Sequence, residues 1–171
     1  TRSWCDWSSD VCSSDLAFTI YVIARPTSFP ITKFPLLYTD TDLGIWWNGT
    51  NWSAGQSIGN YGTTTLTNDT SNFHIYGFIF DGTQTGNANR LKFRYDRTDQ
   101  TLTFTGTIGT TTGTPAYMFF GGDNRGSVGA GNALSGTYMD GYIGEVLIFT
   151  RSLSASEITS TENYIKTKWN I

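Results

Sequence analysis

The last 34 residues constrain the fold more than any other part of the chain. Tyr138 to Phe149, YMDGYIGEVLIF, is a long run that is apolar on both faces of a strand, the pattern of a central strand. Leu153-Ser154-Ala155-Ser156-Glu157-Ile158 follows at once and fits a capping box with a hydrophobic staple. The Ser154 hydroxyl is expected to take the Glu157 amide, the Glu157 carboxylate to reach back, and Leu153 to pack on Ile158. Ile158, Ile165 and Trp169 then share one face, with Lys166 and Lys168 near the negative end of the helix dipole. The spacing predicts one helix, from about Ala155 to Lys168.

Everything before it reads as short strands and turns. Ala17 to Arg25 is a buried strand halted by Pro26, and Phe34 to Tyr38 and Leu43 to Trp47 are shorter ones. Asn48 to Asn72 is rich in Gly, Asn, Ser and Thr and predicts a weak strand at most. Phe73 to Phe80 is a strong strand ending at the Asp81-Gly82 turn. Leu91, Phe93 and Tyr95 alternate with Lys92, Arg94 and Asp96 as a half-exposed strand, with Leu102 and Phe104 as its short partner. Ala116 to Phe120 is another strand, followed by a glycine-rich loop. Only 15% of residues are charged, 15% are aromatic, and 19 are glycine. This favours an all-β fold: a two-sheet antiparallel jelly-roll sandwich with one C-terminal α-helix.

Residues 1 to 16, TRSWCDWSSDVCSSDL, share nothing with this pattern. Back-translated, Asp6 to Leu16 resembles a common short-read sequencing adapter, and Thr1 to Cys5 fit its upstream part. A signal peptide would need a basic start, an apolar run and a small-residue cleavage site, and none is there. The segment is therefore read as non-native, with one domain from 17 to 171. Both cysteines fall in it, so the remaining chain implies no redox compartment. The remainder carries 10 basic and 11 acidic residues, too even a balance for a nucleic-acid groove. No apolar run is long enough to span a membrane.

Three stretches carry a resemblance. GYIGEVLIFTRSLSASEITSTENYIKTKWNI (Gly141 to Ile171), FHIYGFIFDGTQTGNANRLKFRYD (from Phe73) and FTIYVIARPTSF (from Phe18) together resemble the laminin G-like, concanavalin A-like jelly-roll domains of bacterial and phage surface proteins. Such domains often carry an Asn-Gly or Asp-Gly turn where this chain has Asp96-Arg97. The resemblance implies an extracellular, cell-surface or virion setting within a larger protein. It also implies one or two further strands ahead of Ala17.

Catalytic chemistry is hard to find. Glycoside hydrolysis needs two carboxylates about 5 to 10 Å apart, but Glu145 has Ile143 and Leu147 as same-face neighbours. Glu145 is read as a paired structural group. The single histidine, His74, opens a strand and has no neighbouring cysteine or base in the sequence, so it predicts neither a zinc site nor a triad. The chain is expected not to be an enzyme and to need no cofactor.

Binding is the remaining class. Trp46, Trp47, Asn48 and Trp52 cluster in IWWNGTNW, with Tyr61 beyond. Aromatic faces stack on the apolar faces of sugar rings, and amides bond their hydroxyls. Trp46 and Trp47 must point to opposite sides of a strand, so at most one of the pair lies in the core. Asn124 and Arg125, in the loop from Gly121 to Asn132, complete the candidate set. Calcium is the candidate ion, since the resembled domains often bind it. Asp123 beside Asn124 is the first candidate ligand, with Asp40 and Asp42 next. The reading is a carbohydrate-recognition module for a polysaccharide or surface glycan. The alternative is a structural or protein–protein adhesion module.

Overall fold

A computed structural model describes residues 16–30, 34–39, 43–57, 59–112, 118–122 and 138–171. Eleven strands and two helices are described. In chain order they are β1 (Ala17–Pro26), β2 (Phe34–Thr39), β3 (Gly44–Trp47), β4 (Trp52–Ser57), β5 (Asn60–Thr64), β6 (His74–Asp81), α1 (Asn87–Arg90), β7 (Leu91–Tyr95), β8 (Thr98–Asp99), β9 (Thr103–Thr105), β10 (Met118–Phe120), β11 (Gly141–Phe149) and α2 (Ala155–Trp169). They form two sheets, β11-β1-β6-β7-β8 and β10-β2-β3-β4-β5-β9. Every pairing is antiparallel. The architecture is the two-sheet jelly-roll sandwich with a C-terminal helix that the pattern predicts. The one-turn helix α1, inside the stretch read as a polar loop, is an addition.

Strand alternation builds two cores. Phe18, Ile20, Val22 and Ala24 of β1 face the second sheet, where Phe34, Ile45, Trp47 and Trp52 meet them together with Tyr76, Phe78, Phe80 and Phe93. Tyr21 and Ile23 point the other way, into a cluster with Ile75, Leu153 and Ile165. Helix α2 covers that outer face, and Ile158 and Trp169 complete the contact. β1 is buried on both faces for this reason. The helix spacing holds to within one residue at its C-terminal end. Its capping box forms, with the Ser154 amide donating to Glu157 Oε2 at 3.0 Å. Arg151 grips the same carboxylate through two hydrogen bonds of 2.6 and 2.8 Å.

Four strand expectations are corrected. Among the described strands β11 is the last of its sheet and not a central one, with β1 as its partner. Its apolar faces are served by α2 on one side and the sandwich interior on the other, which gives a central-looking pattern in that position. Asn48 to Asn72 holds two strands, β4 and β5, built from small residues. The partner of β7 is Thr98–Asp99, joined by a tight turn with Asp96 (φ 44) and Arg97 (φ 71) both left-handed. Leu102 and Phe104 leave for the second sheet, where Thr103–Thr105 pairs with β5.

Candidate functional site

The six-stranded sheet turns one face to the core and one away from it. Ile45, Trp47, Trp52 and Ala54 take the core side, so the alternate residues of β3 and β4 take the outer side. Register then sets two rows across the outer face. One runs Tyr38, Gly44, Gly55, Tyr61, Thr105. The other runs Pro35, Trp46, Ser53, Thr63, Thr103. The first row is two tyrosines with two glycines between them. A Cβ on Gly55 would lie 2.4 Å from the Tyr61 Cβ, so the close approach of Tyr61 depends on glycine there.

Trp46 joins the two tyrosines. Its ring centroid is 5.9 Å from Tyr38 and 5.8 Å from Tyr61, both edge-on. This is the favoured quadrupole geometry for aromatic pairs. Trp46 and Tyr38 are almost fully buried, while Tyr61 is half-buried and keeps solvent access. Thr63, Thr103 and Thr105 continue the face beside it, the last two exposed. The arrangement can offer one aromatic face to an apolar ring face, with hydroxyl donors and acceptors alongside.

Trp46 and Tyr61 are thus brought together. Trp47 and Trp52 oppose each other across β3 and β4 on the core side and are 4% and 1% exposed; Trp46, at 6%, is as closed, so Tyr61 is the ring of the set that solvent reaches. The Trp47 indole N–H is spent on the Pro30 carbonyl at 2.8 Å. Asn48 organises a turn, its Oδ1 accepting from the amides of Thr50 and Asn51 and its Nδ2 donating to Ser53 Oγ. Asp40, Asp42, Asp123, Asn124 and Arg125 lie outside the described residues, as does the adapter-like segment up to residue 15. Among the described residues no group of three or more His, Cys, Asp or Glu side chains could hold a metal. The threonine row was missed because β9 was assigned to the wrong sheet.

Glu145 is a structural group as read. It accepts from Lys168 Nζ (2.8 Å), Trp169 Nε1 (2.9 Å) and the Tyr164 hydroxyl (3.1 Å), which ties α2 to β11. The hydrogen bonds from Lys168 and Trp169 hold its carboxyl below the usual glutamate range.

His74 is not the isolated residue the sequence suggests. Its Nδ1–H donates to Asp96 Oδ2 at 2.7 Å, and its Nε2 lies 3.3 Å from Asp69 Oδ2. The ring also stacks on Tyr95 at 4.9 Å. Burial alone would lower the histidine pKa, but the Asp96 hydrogen bond and the charges of Asp96 and Asp69 outweigh it, and the pKa is raised above 6.5. A raised folded-state pKa stabilises the fold in full below the unfolded value. That contribution is lost as pH rises through the folded value. Stability is therefore expected to fall on going upward from about pH 6.5, within the histidine range. Chemical denaturation at stepped pH checks this: His74→Gln should remove the step, and a step that persists in the variant would assign it elsewhere.

No family model matches the sequence, and no curated protein matches it. Solved structures do match in fold. A sialidase from Trypanosoma rangeli, in complex with sialic acid, superposes with a TM-score of 0.62 at 16% identity, over 87% of this chain and 23% of that one. The chain thus spans under a quarter of that enzyme's length. The CBM40 module of the Ruminococcus gnavus IT-sialidase, bound to α2,3-sialyllactose, gives a TM-score of 0.59 at 12% identity, over 87% of this chain and 84% of that one. At these identities the likeness is of fold alone, a two-sheet β-sandwich.

Proposed function

We propose that residues 17–171 form a non-catalytic carbohydrate-recognition module of laminin G-like type, part of a larger extracellular or surface protein. The observation that carries the reading is the Tyr38–Trp46–Tyr61 array on the outer face of the six-stranded sheet, with the threonine row beside Tyr61. The array holds Tyr61 rigid, so stacking a sugar ring on it costs little side-chain entropy. The fold shared with a module bound to sialyllactose supports the same reading. The non-catalytic part is supported by Glu145, Glu157 and Glu162, each of which is tied to a cation within the fold.

Tyr61→Ala is the test. With sialyllactose and neutral galactosides as probes in calorimetry, the variant is expected to stay folded and to lose about tenfold or more in affinity, the scale of one stacked ring. Unchanged affinity would overturn the assignment of this face. The same titrations with calcium and with chelator read the proposed role of Asp123. The adhesion alternative has its own observation: Tyr142 and Ile148 are exposed on β11, the last described strand of its sheet. It would gain if no glycan bound and Tyr142→Lys abolished association with a protein partner.

A further inference from the structure

A cavity lies at the C-terminal end of α2, beside the start of β6. Its volume is about 430 Å³. Phe73, Ile75 and Ile171 supply apolar lining, while His74, Arg97 and Lys166 bring nitrogen donors to it. It shares no residue with the outer face of the six-stranded sheet.

One buried donor there makes no hydrogen bond, and two exposed cations stand beside it. His74 Nε2 is buried and makes no hydrogen bond, although Asp69 Oδ2 is 3.3 Å away. That oxygen already accepts from Asn72 Nδ2 at 2.9 Å. Among the described residues nothing pairs with the Lys166 ammonium, and Arg97 spends only one of its nitrogens, on Asn163 Oδ1 at 2.9 Å. A buried donor without an acceptor is costly, and a ligand oxygen would remove that cost.

The charged side chains around the cavity, His74, Arg97 and Lys166 against Asp69 and Asp96, nearly balance, so it is the open donors that point to the sign of the ligand. Asp96 cannot serve an incoming cation easily. Its Oδ1 accepts from the Ile75 amide and its Oδ2 from His74. The end of α2 is also occupied, since the Lys166 carbonyl accepts from the cap residue Asn170 and from Ile171. What is left open is a set of N–H groups beside an apolar floor.

We propose that this cavity is a second ligand site, taking the carboxylate of a small molecule between His74 Nε2, Lys166 and Arg97. It is independent of the glycan site proposed above. An acidic sugar or a small organic acid would both fit this chemistry, and the probes below separate them.

His74 is the only histidine in the chain, so its imidazole resonances report on the cavity without ambiguity. The full chain is titrated with acetate, N-acetylneuraminic acid and methyl β-galactoside, each against sodium chloride at equal ionic strength. Acetate and N-acetylneuraminic acid are expected to shift the His74 signals saturably and to raise its titration midpoint. The galactoside and the salt are not. Tighter binding of N-acetylneuraminic acid than of acetate would assign an acidic sugar, and equal binding a simple organic acid. The Arg97→Ala/Lys166→Ala double variant should weaken the effect about tenfold or more, the scale of one or two charge-assisted hydrogen bonds. Tyr61→Ala should leave it unchanged. No shift with either carboxylate, an equal shift with salt, or an undiminished shift in the double variant would overturn the proposal.

Discussion

Trp52→Ala is expected to lower the melting temperature by about 10 °C, from a loss of about 3–5 kcal/mol. Trp52 is the ring through which the two sheets meet. It lies 4.9 Å from Tyr76 and 6.4 Å from Phe93 on the five-stranded sheet, and 5.8 Å from Phe34 and 6.1 Å from Trp47 on its own. Phe29 closes the cluster from the β1–β2 connection at 6.2 Å. Removing the indole leaves a cavity walled by rings held in two different sheets, which cannot collapse together to fill it. Domains of this kind are stable by only about 5–15 kcal/mol, so the variant should be marginal at 37 °C. Circular dichroism melts of Trp52→Ala beside Tyr61→Ala check the assignment. The first should melt early and the second close to the parent. Equal melting would place Trp52 outside the core and return it to the binding face.

That pair of variants shows what the sequence could and could not say. Alternation required Trp46 and Trp47 to face opposite sides, and they do. Which of them turns inward depends on register: Trp47 opposes Trp52, and both sit where the sandwich closes. No local pattern encodes that pairing. β4 and β5 were hidden for a related reason. Their sequences, WSAGQS and NYGTT, are polar and broken by glycine and lack the apolar runs that announce a strand. Yet Gly55 must be small to admit Tyr61, and Gly62 to admit Leu102 and Phe104. Tight packing selected residues that look like loop. β11 misled in the opposite sense: Val146 packs toward the sandwich interior and Leu147 and Phe149 toward α2, while Tyr142, Ile143 and Ile148 stay exposed. The capping box was legible because all its partners lie within a few residues. The His74–Asp96 contact was not, because it spans 22 residues and depends on the β6–β7 register.

The second large effect is expected at the join between α2 and its sheet. Glu162 is 2% exposed, on the buried side of α2. Arg94 Nε donates to its Oε1 at 2.7 Å and a terminal nitrogen to its Oε2 at 3.1 Å. Tyr21 donates to the same Oε1 at 3.2 Å, and Arg94 also pairs with Asp99. One carboxylate therefore links α2 to β1 and β7, and Arg94 carries the link on to β8. Burial, then the Glu162 charge, pushes the Tyr21 hydroxyl well above the usual tyrosine range, so it stays a donor at any working pH. Glu162→Ala would leave the Arg94 guanidinium with Asp99 and the Arg97 carbonyl alone, and would take the Tyr21 hydroxyl's acceptor away. Breaking a buried pair from one side costs up to about 3–5 kcal/mol, less here because Arg94 keeps Asp99, although the intact pair is worth far less than that. The sign of a double replacement separates the two quantities. Arg94→Met with Glu162→Leu removes both charges and leaves volume in place, and should recover most of the loss. Urea denaturation of parent, single and double variants measures this, with Tyr21→Phe tracking the remaining hydroxyl. Recovery would mean that the buried pair sets where the helix docks rather than how tightly it holds. No recovery would mean that its hydrogen bonds to two strands are what keep α2 on the sheet.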